Sequence, residues 1–151
     1  MPAFAAFEID LPDGWEADGA PDCLGIFVDP AASGFRVNLL VGADRVGAGF
    51  DLEDAAAATL EHCRANFADF RVEQEKVAEI AGQPAALRFQ SFAVEGLDER
   101  LLQLQVLLIA PPDGRNGETR DLFHIDGTCL DADKERYAPA FLTAAESFRF
   151  V

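Results

Sequence analysis

The part of the sequence that most constrains the fold is residues 77–110, where two apolar segments flank one short polar turn. The second apolar segment, Leu101–Ile109, is apolar at nearly every position, which is typical of a central strand covered on both faces. The polar turn, residues 95–100, contains charged side chains and one glycine, as hairpin loops slightly longer than the tightest kind do. These segments predict a hairpin at the centre of a sheet, and the rest of the chain has to cover it.

The length of the chain predicts one domain, residues 1–151, because a domain of this size buries roughly 70% of its unfolded surface without a metal or disulfide. A total of 12 basic and 27 acidic residues gives a formal net charge of −15. Such a surface repels phosphate backbones and anionic lipids, which argues against nucleic acid and membrane surfaces as partners. The charge does not exclude basic proteins as partners, although an acidic surface more often only confers solubility.

The three cysteines, Cys23, Cys63 and Cys129, are odd in number and far apart in the sequence. This spacing argues against a disulfide framework and agrees with a reducing compartment. The N-terminal region lacks the basic start and apolar run of a signal peptide, and the longest apolar stretch, residues 104–112, is too short to span a bilayer. We therefore expect a cytoplasmic protein that does not insert into membranes.

The remaining segments predict an α+β fold in which one antiparallel sheet carries two main helices. Asp51 is a favourable N-cap for a helix over residues 52–67, where apolar residues recur at helical spacing. A second helix is predicted from Asp131 or Asp133 to Ser147, with Pro139 as a kink or a restart. Alternating or continuous apolar residues predict strands, and glycine and proline predict two loops. The strands cover residues 4–11, 23–28, 35–43 and 121–130, with 69–75 and 77–80 as two short strands or one bent strand, and the loops cover residues 44–50 and 111–120.

Polar residues on otherwise apolar strands are the candidate binding residues, namely Asn38, Arg88, Gln90, Gln103 and Gln105. They face a groove on the sheet if they bind a partner. In the alternative, they hydrogen bond to one another or mark a sheet edge. A second candidate surface is an exposed apolar patch for a partner or a homodimer, unless a helix covers that side of the sheet. This patch would consist of Phe92, Leu101, Leu107 and Ile109.

Catalytic and metal sites have weaker support in the sequence. A metal site formed by His62, Cys63, His124 and Cys129 would use suitable ligand types, but the sequence has no closely spaced ligand pairs. A cysteine nucleophile activated by His124 is also disfavoured, because Cys63 belongs to an apolar helical stripe and Cys129 alternates to the opposite face from His124. Cysteines of this kind are more often buried structural residues. We predict no metal, no cofactor and no catalytic residue.

Five short motifs occur in a characteristic order along the chain: residues 7–15 (FEIDLPDGW), 34–41 (GFRVNLLV), 69–72 (DFRV), 82–85 (GQPA) and 147–150 (SFRF). In this order they resemble the Mog/PsbP-like superfamily and, within it, small bacterial proteins of the DcrB and LpqN type. The resemblance extends over nearly the whole chain. It implies a twisted antiparallel sheet with helices packed on its faces, in agreement with the fold predicted from the residues.

The resemblance also implies a role in binding. Members of the superfamily serve as accessory proteins, among them a nuclear GTPase cofactor, an extrinsic photosystem subunit, cell-envelope lipoproteins and chaperones for type VI secretion effectors. No common catalytic motif accompanies the fold, so no residue is carried over as catalytic. The sequence departs from the LpqN lipoproteins because it lacks a signal peptide with a lipobox cysteine, which argues against an envelope location.

Three functions from different classes follow. We predict a non-catalytic accessory or chaperone-like protein that binds another protein, with a secretion-related protein or a second copy as candidate partners. This function requires an exposed apolar or charged groove. The alternative is a small-molecule or lipid-binding protein, which requires a closed, mainly apolar pocket between sheet and helix. The third is an esterase-like or metal-dependent enzyme, which requires His124 within hydrogen-bond reach of a thiol or carboxylate in a cleft.

Overall fold

A computed structural model describes residues 4–19, 23–32, 34–112 and 119–151. In this part of the chain, nine strands and two α-helices form an α+β fold, and a short 3-10 turn, Asp131–Asp133, precedes the second helix. In chain order the elements are β1 (Phe7–Glu8), β2 (Glu16–Asp18), β3 (Gly25–Val28), β4 (Asn38–Gly47), α1 (Leu52–Asn66), β5 (Ala68–Ile80), β6 (Gln83–Ala93), β7 (Leu101–Ile109), β8 (Thr119–Leu130), α2 (Lys134–Ser147) and β9 (Arg149–Phe150).

The main sheet has the strand order β2-β3-β4-β8-β7-β6-β5, and every neighbouring pair in it is antiparallel. The predicted central hairpin is confirmed, because β6 and β7 pair from Phe92 with Leu101 to Ala85 with Leu108. β7 lies between β6 and β8, and its residues are buried on both faces. The continuous apolar run of β7 therefore reflects a strand that helices cover from both sides.

The two helices lie on opposite faces of the main sheet. On the α2 face, Phe141 of α2 packs directly over Gly127 of β8. The side chains on this face are apolar and fully buried, namely Leu39, Val41, Leu104, Val106, Leu108, Phe123 and Ile125. On the α1 face, the neighbouring strands present polar side chains to the helix. The predicted alternation in β8 is confirmed, because Phe123, Ile125 and Cys129 share one face and His124, Asp126 and Thr128 share the other.

Local signals explain the start of α1 and the course of α2. The Asp51 carboxylate accepts a hydrogen bond from the Asp54 backbone N–H at 2.8 Å, which confirms the predicted N-cap. α2 is one continuous helix that passes through Pro139, so the predicted restart at this residue is wrong. The packing of Tyr137 and Phe141 against the sheet outweighs the backbone hydrogen bond that proline cannot donate.

Three boundaries differ from the predictions because they depend on distant partners. β4 continues to Gly47, within the predicted loop 44–50, because Gly47 pairs with Thr119 of β8. Of the two alternatives predicted for residues 69–80, a single strand is the one that forms, and this strand, β5, contains two irregularities in its register with β6. The predicted strand 4–11 is reduced to β1. Of the predicted loop 111–120, residues 113–118 lie outside the described part, and the last two residues belong to β8.

A second sheet, which the sequence does not predict, joins the two ends of the chain. Phe7 of β1 pairs with Phe150 of β9 in an antiparallel ladder of two residue pairs. Phe7 also stacks on Phe148, with ring centroids 5.1 Å apart, and meets Phe123 edge to face at 5.8 Å. The prediction of one sheet is therefore wrong, because these aromatic contacts hold a short strand pair on the α2 face.

Candidate functional site

The candidate site is a groove between α1 and the outermost strand β5, above a layer of polar side chains on β6 and β7. The groove has a volume of about 430 Å³. It opens to solvent beside β5, where Val77 is 78% exposed and Glu75 and Lys76 are exposed. The wall on α1 consists of Ala56, Ala57 and Leu60, and the floor consists of Ala86, Leu87, Arg88, Gln105 and Leu107.

The polar layer is a continuous hydrogen-bonded network beneath α1. Arg88 Nε donates to Gln90 Oε1 at 2.8 Å, and Arg88 Nη2 donates to Gln105 Oε1 at 2.5 Å. Gln90 Nε2 donates to Gln103 Oε1 at 2.7 Å, and Gln103 Nε2 donates to Thr128 Oγ1 at 3.1 Å. The network thus crosses three neighbouring strands, β6, β7 and β8, on one face of the sheet.

The same network fastens α1 to the sheet. Arg88 Nη1 donates to the Ala56 carbonyl at 3.4 Å, and Arg88 Nη2 donates to Thr59 Oγ1 at 3.3 Å. One helical turn later, Gln90 Nε2 lies 3.7 Å from Cys63 Sγ. Gln90 is fully buried, and a buried polar group without a partner costs about 1–3 kcal/mol. These contacts fix both the position of α1 and the conformation of the glutamines.

Four of the five candidate binding residues predicted from the sequence therefore lie in one network: Arg88, Gln90, Gln103 and Gln105. Asn38 of β4 lies on the same face and pairs in register with Thr128, but its Nδ2 donates to the Arg36 carbonyl at 3.0 Å instead. Both alternatives left open by the sequence apply to this layer. The side chains satisfy one another, and Arg88 and Gln105 also line the groove.

The predicted exposed apolar patch does not form. Phe92, Leu101 and Leu107 are buried, and Ile109 is partly buried. The helix that covers this side of the sheet is α1, whose following residue Phe67 stacks on Phe92 with ring centroids 4.2 Å apart. This face therefore offers no apolar patch at these positions for a partner or a homodimer.

A second polar cluster was not identified from the sequence. It lies at the end of β3, where the Tyr137 hydroxyl donates to Asp29 Oδ2 at 2.6 Å and the Ala31 N–H donates to Asp29 Oδ1 at 2.9 Å. The hydrogen bond from Tyr137 lowers the pKa of Asp29, and burial together with this bond raises the pKa of Tyr137 to about 12. A cleft of about 380 Å³ beside the cluster is lined by Trp15 and Arg136. Both Asp29 oxygens are occupied, so the cluster fastens α2 to β3.

His124 lies within hydrogen-bond reach of a carboxylate, as the enzyme hypothesis requires, but not of either predicted thiol. His124 Nδ1 lies 2.8 Å from Asp126 Oδ2, and this hydrogen bond raises the pKa of His124. Cys129 lies on the opposite face of the sheet, and His62 is exposed on α1 beside Asn66. Burial raises the pKa of the Cys63 thiol and raises that of Cys129 to about 12, so both thiols are protonated at neutral pH.

The described residues contain no group of three or more His, Cys, Asp or Glu side chains arranged to hold a metal ion. Neither helix in the described part of the chain has the length and apolarity required to cross a bilayer.

No protein-family model matches this sequence, and no curated protein does. Solved structures resemble it closely in fold. LpqN of Mycobacterium tuberculosis, which is involved in cell envelope biogenesis, superposes with a TM-score of 0.80 at 15% identity, over 100% of this chain and 86% of LpqN. The Ran-binding protein Mog1p of Saccharomyces cerevisiae superposes with a TM-score of 0.62 at 13% identity, over 97% of this chain and 90% of Mog1p.

The cyanobacterial PsbP protein of Synechocystis sp. PCC 6803 has a TM-score of 0.60 at 14% identity, over 99% of this chain and 95% of PsbP. Identities this low establish a common fold and leave the function open. The predicted likeness to DcrB stays a prediction. The similarity to LpqN, Mog1p and PsbP over almost the whole chain confirms that this protein has the Mog/PsbP-like fold.

Proposed function

We propose that this chain is a non-catalytic binding protein that holds an extended segment of a partner protein in the groove between α1 and β5. The observation that carries this proposal is the position of the groove at the edge of the main sheet. β5 is the last strand in the sheet order, so its outer backbone edge has no strand partner among the described residues. An extended polypeptide can pair with such an edge and place alternate side chains in an adjacent groove.

The shape of the groove favours a polypeptide over an enclosed small molecule. The small-molecule hypothesis predicts a closed cavity between sheet and helix, whereas this groove opens along β5 beside the exposed Val77. A small molecule or lipid in the same groove is the alternative function, and the experiments below distinguish it from a peptide.

The structural relatives agree with a role in protein binding at the coarsest level only. Mog1p is a Ran-binding protein, and LpqN is involved in cell envelope biogenesis. We do not assign the Ran binding of Mog1p or the envelope role of LpqN to this chain. A cytoplasmic location, a secretion-related partner and a homodimer all stay predictions.

A bulky residue in the groove wall tests the proposal. Ala57 is exposed and lines the groove, so Ala57→Phe should fill part of it without disturbing the core. Ala58 is also exposed on α1 but does not line the groove, which makes Ala58→Phe the matched control. We expect a partner retained from a lysate of the source organism by the wild-type protein and by Ala58→Phe to be lost with Ala57→Phe.

The readout is quantitative mass spectrometry of the retained proteins, combined with hydrogen exchange of the purified complex. Protection of the β5 backbone amides in the complex would agree with strand pairing at the sheet edge. A partner that Ala57→Phe and Ala58→Phe retain equally would show that binding uses another surface, and the proposal would be wrong.

A further inference from the structure

We propose that the groove captures the carboxyl-terminal residue of the partner chain, with its α-carboxylate at Arg88 and its apolar side chain against α1. This inference rests on the proposed function and specifies the chemistry of the partner. Three observations carry it: a buried cation without a counter-ion, an apolar wall beside that cation, and an unpaired strand edge along the same groove.

Arg88 is a buried cation whose described partners are all neutral. Its side chain belongs to a residue that is only 6% exposed. Its hydrogen bonds go to two glutamine oxygens, one threonine hydroxyl and one backbone carbonyl. No carboxylate in the described part of the chain lies within ion-pairing distance of it. A buried charge is normally paired, so this guanidinium favours an anion that enters from the groove.

The guanidinium also keeps hydrogen-bonding capacity for a ligand. It has five N–H groups, and the structure gives it four hydrogen bonds. Nε and both protons of Nη2 are occupied, whereas Nη1 makes only the 3.4 Å contact with the Ala56 carbonyl. One N–H of Nη1 therefore has no acceptor among the described residues. A carboxylate oxygen is the acceptor that arginine binds most strongly.

The acidic residues nearest to this site do not neutralise it. Glu75 of β5 is directly opposite Arg88 in register and lines the groove, but it is exposed and lies beyond ion-pairing distance. Asp126 of β8 is opposite Gln105; its Oδ2 is engaged with His124, whereas its buried Oδ1 has no hydrogen-bond partner among the described residues and forms no ion pair with Arg88. Lys76 also lines the groove and has no ion pair within the described residues. Lys76 pairs in register with Leu87, however, so its side chain belongs to the opposite face of β5, and Arg88 is the cation of this layer in a protein whose net charge is −15.

The remainder of the groove is apolar, with Ala56, Leu60, Val77 and Leu107 beside the Arg88 end. A chain terminus with an apolar last residue brings a carboxylate and an apolar side chain on the same Cα. An internal aspartate or glutamate brings the carboxylate alone. A fatty acid brings both groups but cannot pair with the free backbone edge of β5. A polypeptide terminus therefore matches all three observations.

Synthetic peptides provide the test. The probes are twenty pools of fluorescein-labelled octapeptides, random at seven positions and fixed at the last, each prepared with a free carboxylate and with a carboxamide. Binding to the full-length protein is measured by fluorescence anisotropy. We expect the pools with apolar last residues to bind best, and we expect the carboxamide to weaken their binding at least about tenfold. This comparison needs no protein variant, so it does not depend on how well a variant folds.

Three variants locate the carboxylate and the groove. Arg88→Gln should remove the difference in binding between the free acids and the carboxamides. Glu75→Gln should strengthen binding of the free acids severalfold, because it removes the carboxylate opposite Arg88. Ala57→Phe should abolish binding of both forms, whereas Ala58→Phe should preserve it.

The outcomes separate this inference from the proposed function. Equal binding of free acids and carboxamides, with both lost in Ala57→Phe, would overturn the capture of a terminus and support the proposed function. Binding of dodecanoate without binding of any peptide pool would overturn both and identify a lipid site. If no pool binds the wild-type protein, the inference is wrong, and the lysate experiment decides the proposed function separately.

Discussion

Gly127→Ala tests how tightly α2 is packed on the main sheet. A Cβ at this position would lie 2.5 Å from Phe141 Cγ and 2.7 and 2.8 Å from its two Cδ atoms. Phe141 cannot move away, because it is buried and its ring contacts those of Trp15 and Tyr137. Overpacking of a core costs about 1–3 kcal/mol, and three ring atoms below 3 Å place this site at the upper end.

Alanine recovers part of that cost, since glycine within a strand is less stable than alanine by roughly 0.5–1 kcal/mol. The expected net loss in the free energy of unfolding is about 2 kcal/mol. For a domain of this size that loss lowers Tm by about 4–8 °C. Gly127 and Phe141 both lie away from the groove, so peptide binding by the folded protein should not change.

Gly42→Ala is the matched control in the neighbouring strand β4. A Cβ there would overlap the His124 ring, with Cε1 at 2.6 Å. The His124 side chain is 29% exposed, however, so its ring can turn towards solvent at the cost of its hydrogen bond to Asp126. We expect this variant to lie within about 1 kcal/mol of the wild type, because the alanine gain offsets most of the displacement.

The assay is urea unfolding followed by the fluorescence of Trp15, the single tryptophan, which meets the Phe141 ring at a centroid distance of 6.1 Å. Far-UV circular dichroism provides an independent probe of the same transition. If Gly127→Ala is as stable as the wild type, or more stable than Gly42→Ala, then Phe141 is not held rigidly and the packing argument is wrong.

Two further predictions concern titratable groups. The hydrogen bond to Asp126 raises the pKa of His124, so its contribution to stability is present below about pH 6.5 and is lost as pH rises through the folded-state pKa. Urea midpoints measured against pH should show this loss in the wild type and not in Asp126→Asn. The hydrogen bond from Tyr137 lowers the pKa of Asp29, which stabilises the fold above about pH 3.9 and is lost as pH falls through the folded-state value. Tyr137→Phe should therefore cost about 1.5–3 kcal/mol at neutral pH and progressively less in acid, and a constant cost would contradict this origin.

The sequence predicts the centre of the fold well because its signals there are local. The β6–β7 hairpin needs only two apolar segments and one polar loop, and all of these lie within 83–109. The start of α1 needs only Asp51 and the helical spacing that follows it. In both cases the residues that determine the structure are neighbours in the chain.

The elements that sequence reasoning missed are determined by distant partners. β1 contains two residues, too few to show an alternating pattern, and it exists because Phe7 pairs with Phe150. β4 extends into the predicted loop because Arg45 on it pairs with Asp121 on β8, with Nε and Oδ1 3.0 Å apart. Glycine and charged residues near Asp44 indicated a loop, but long-range pairing overrides such local preferences.

The candidate site was predictable to the extent that it depends on the hairpin. Residues 88 and 90, like residues 103 and 105, differ by two positions and share a strand face. The hairpin then brings the two pairs together, with Arg88 opposite Gln105 and Gln90 opposite Gln103. Asn38 is brought into register with Thr128 but lies outside the network because its Nδ2 donates to the Arg36 carbonyl instead. The sequence also does not indicate that α1 covers the network and buries Arg88.

The contrast between the two faces of the sheet bears on why the polar network exists. On the α2 face, the alternate residues of β7 and β8 are mainly leucine, valine, isoleucine and phenylalanine, and the polar contact that fastens α2, from Tyr137 to Asp29, lies at β3 and not on these two strands. Replacing a buried polar group by an apolar residue of similar volume is often neutral or stabilising. The fold therefore has an apolar solution for packing a helix on these strands, and it uses that solution on one face only. The buried cation beneath α1 is thus better explained by what enters the groove than by the packing of the helix.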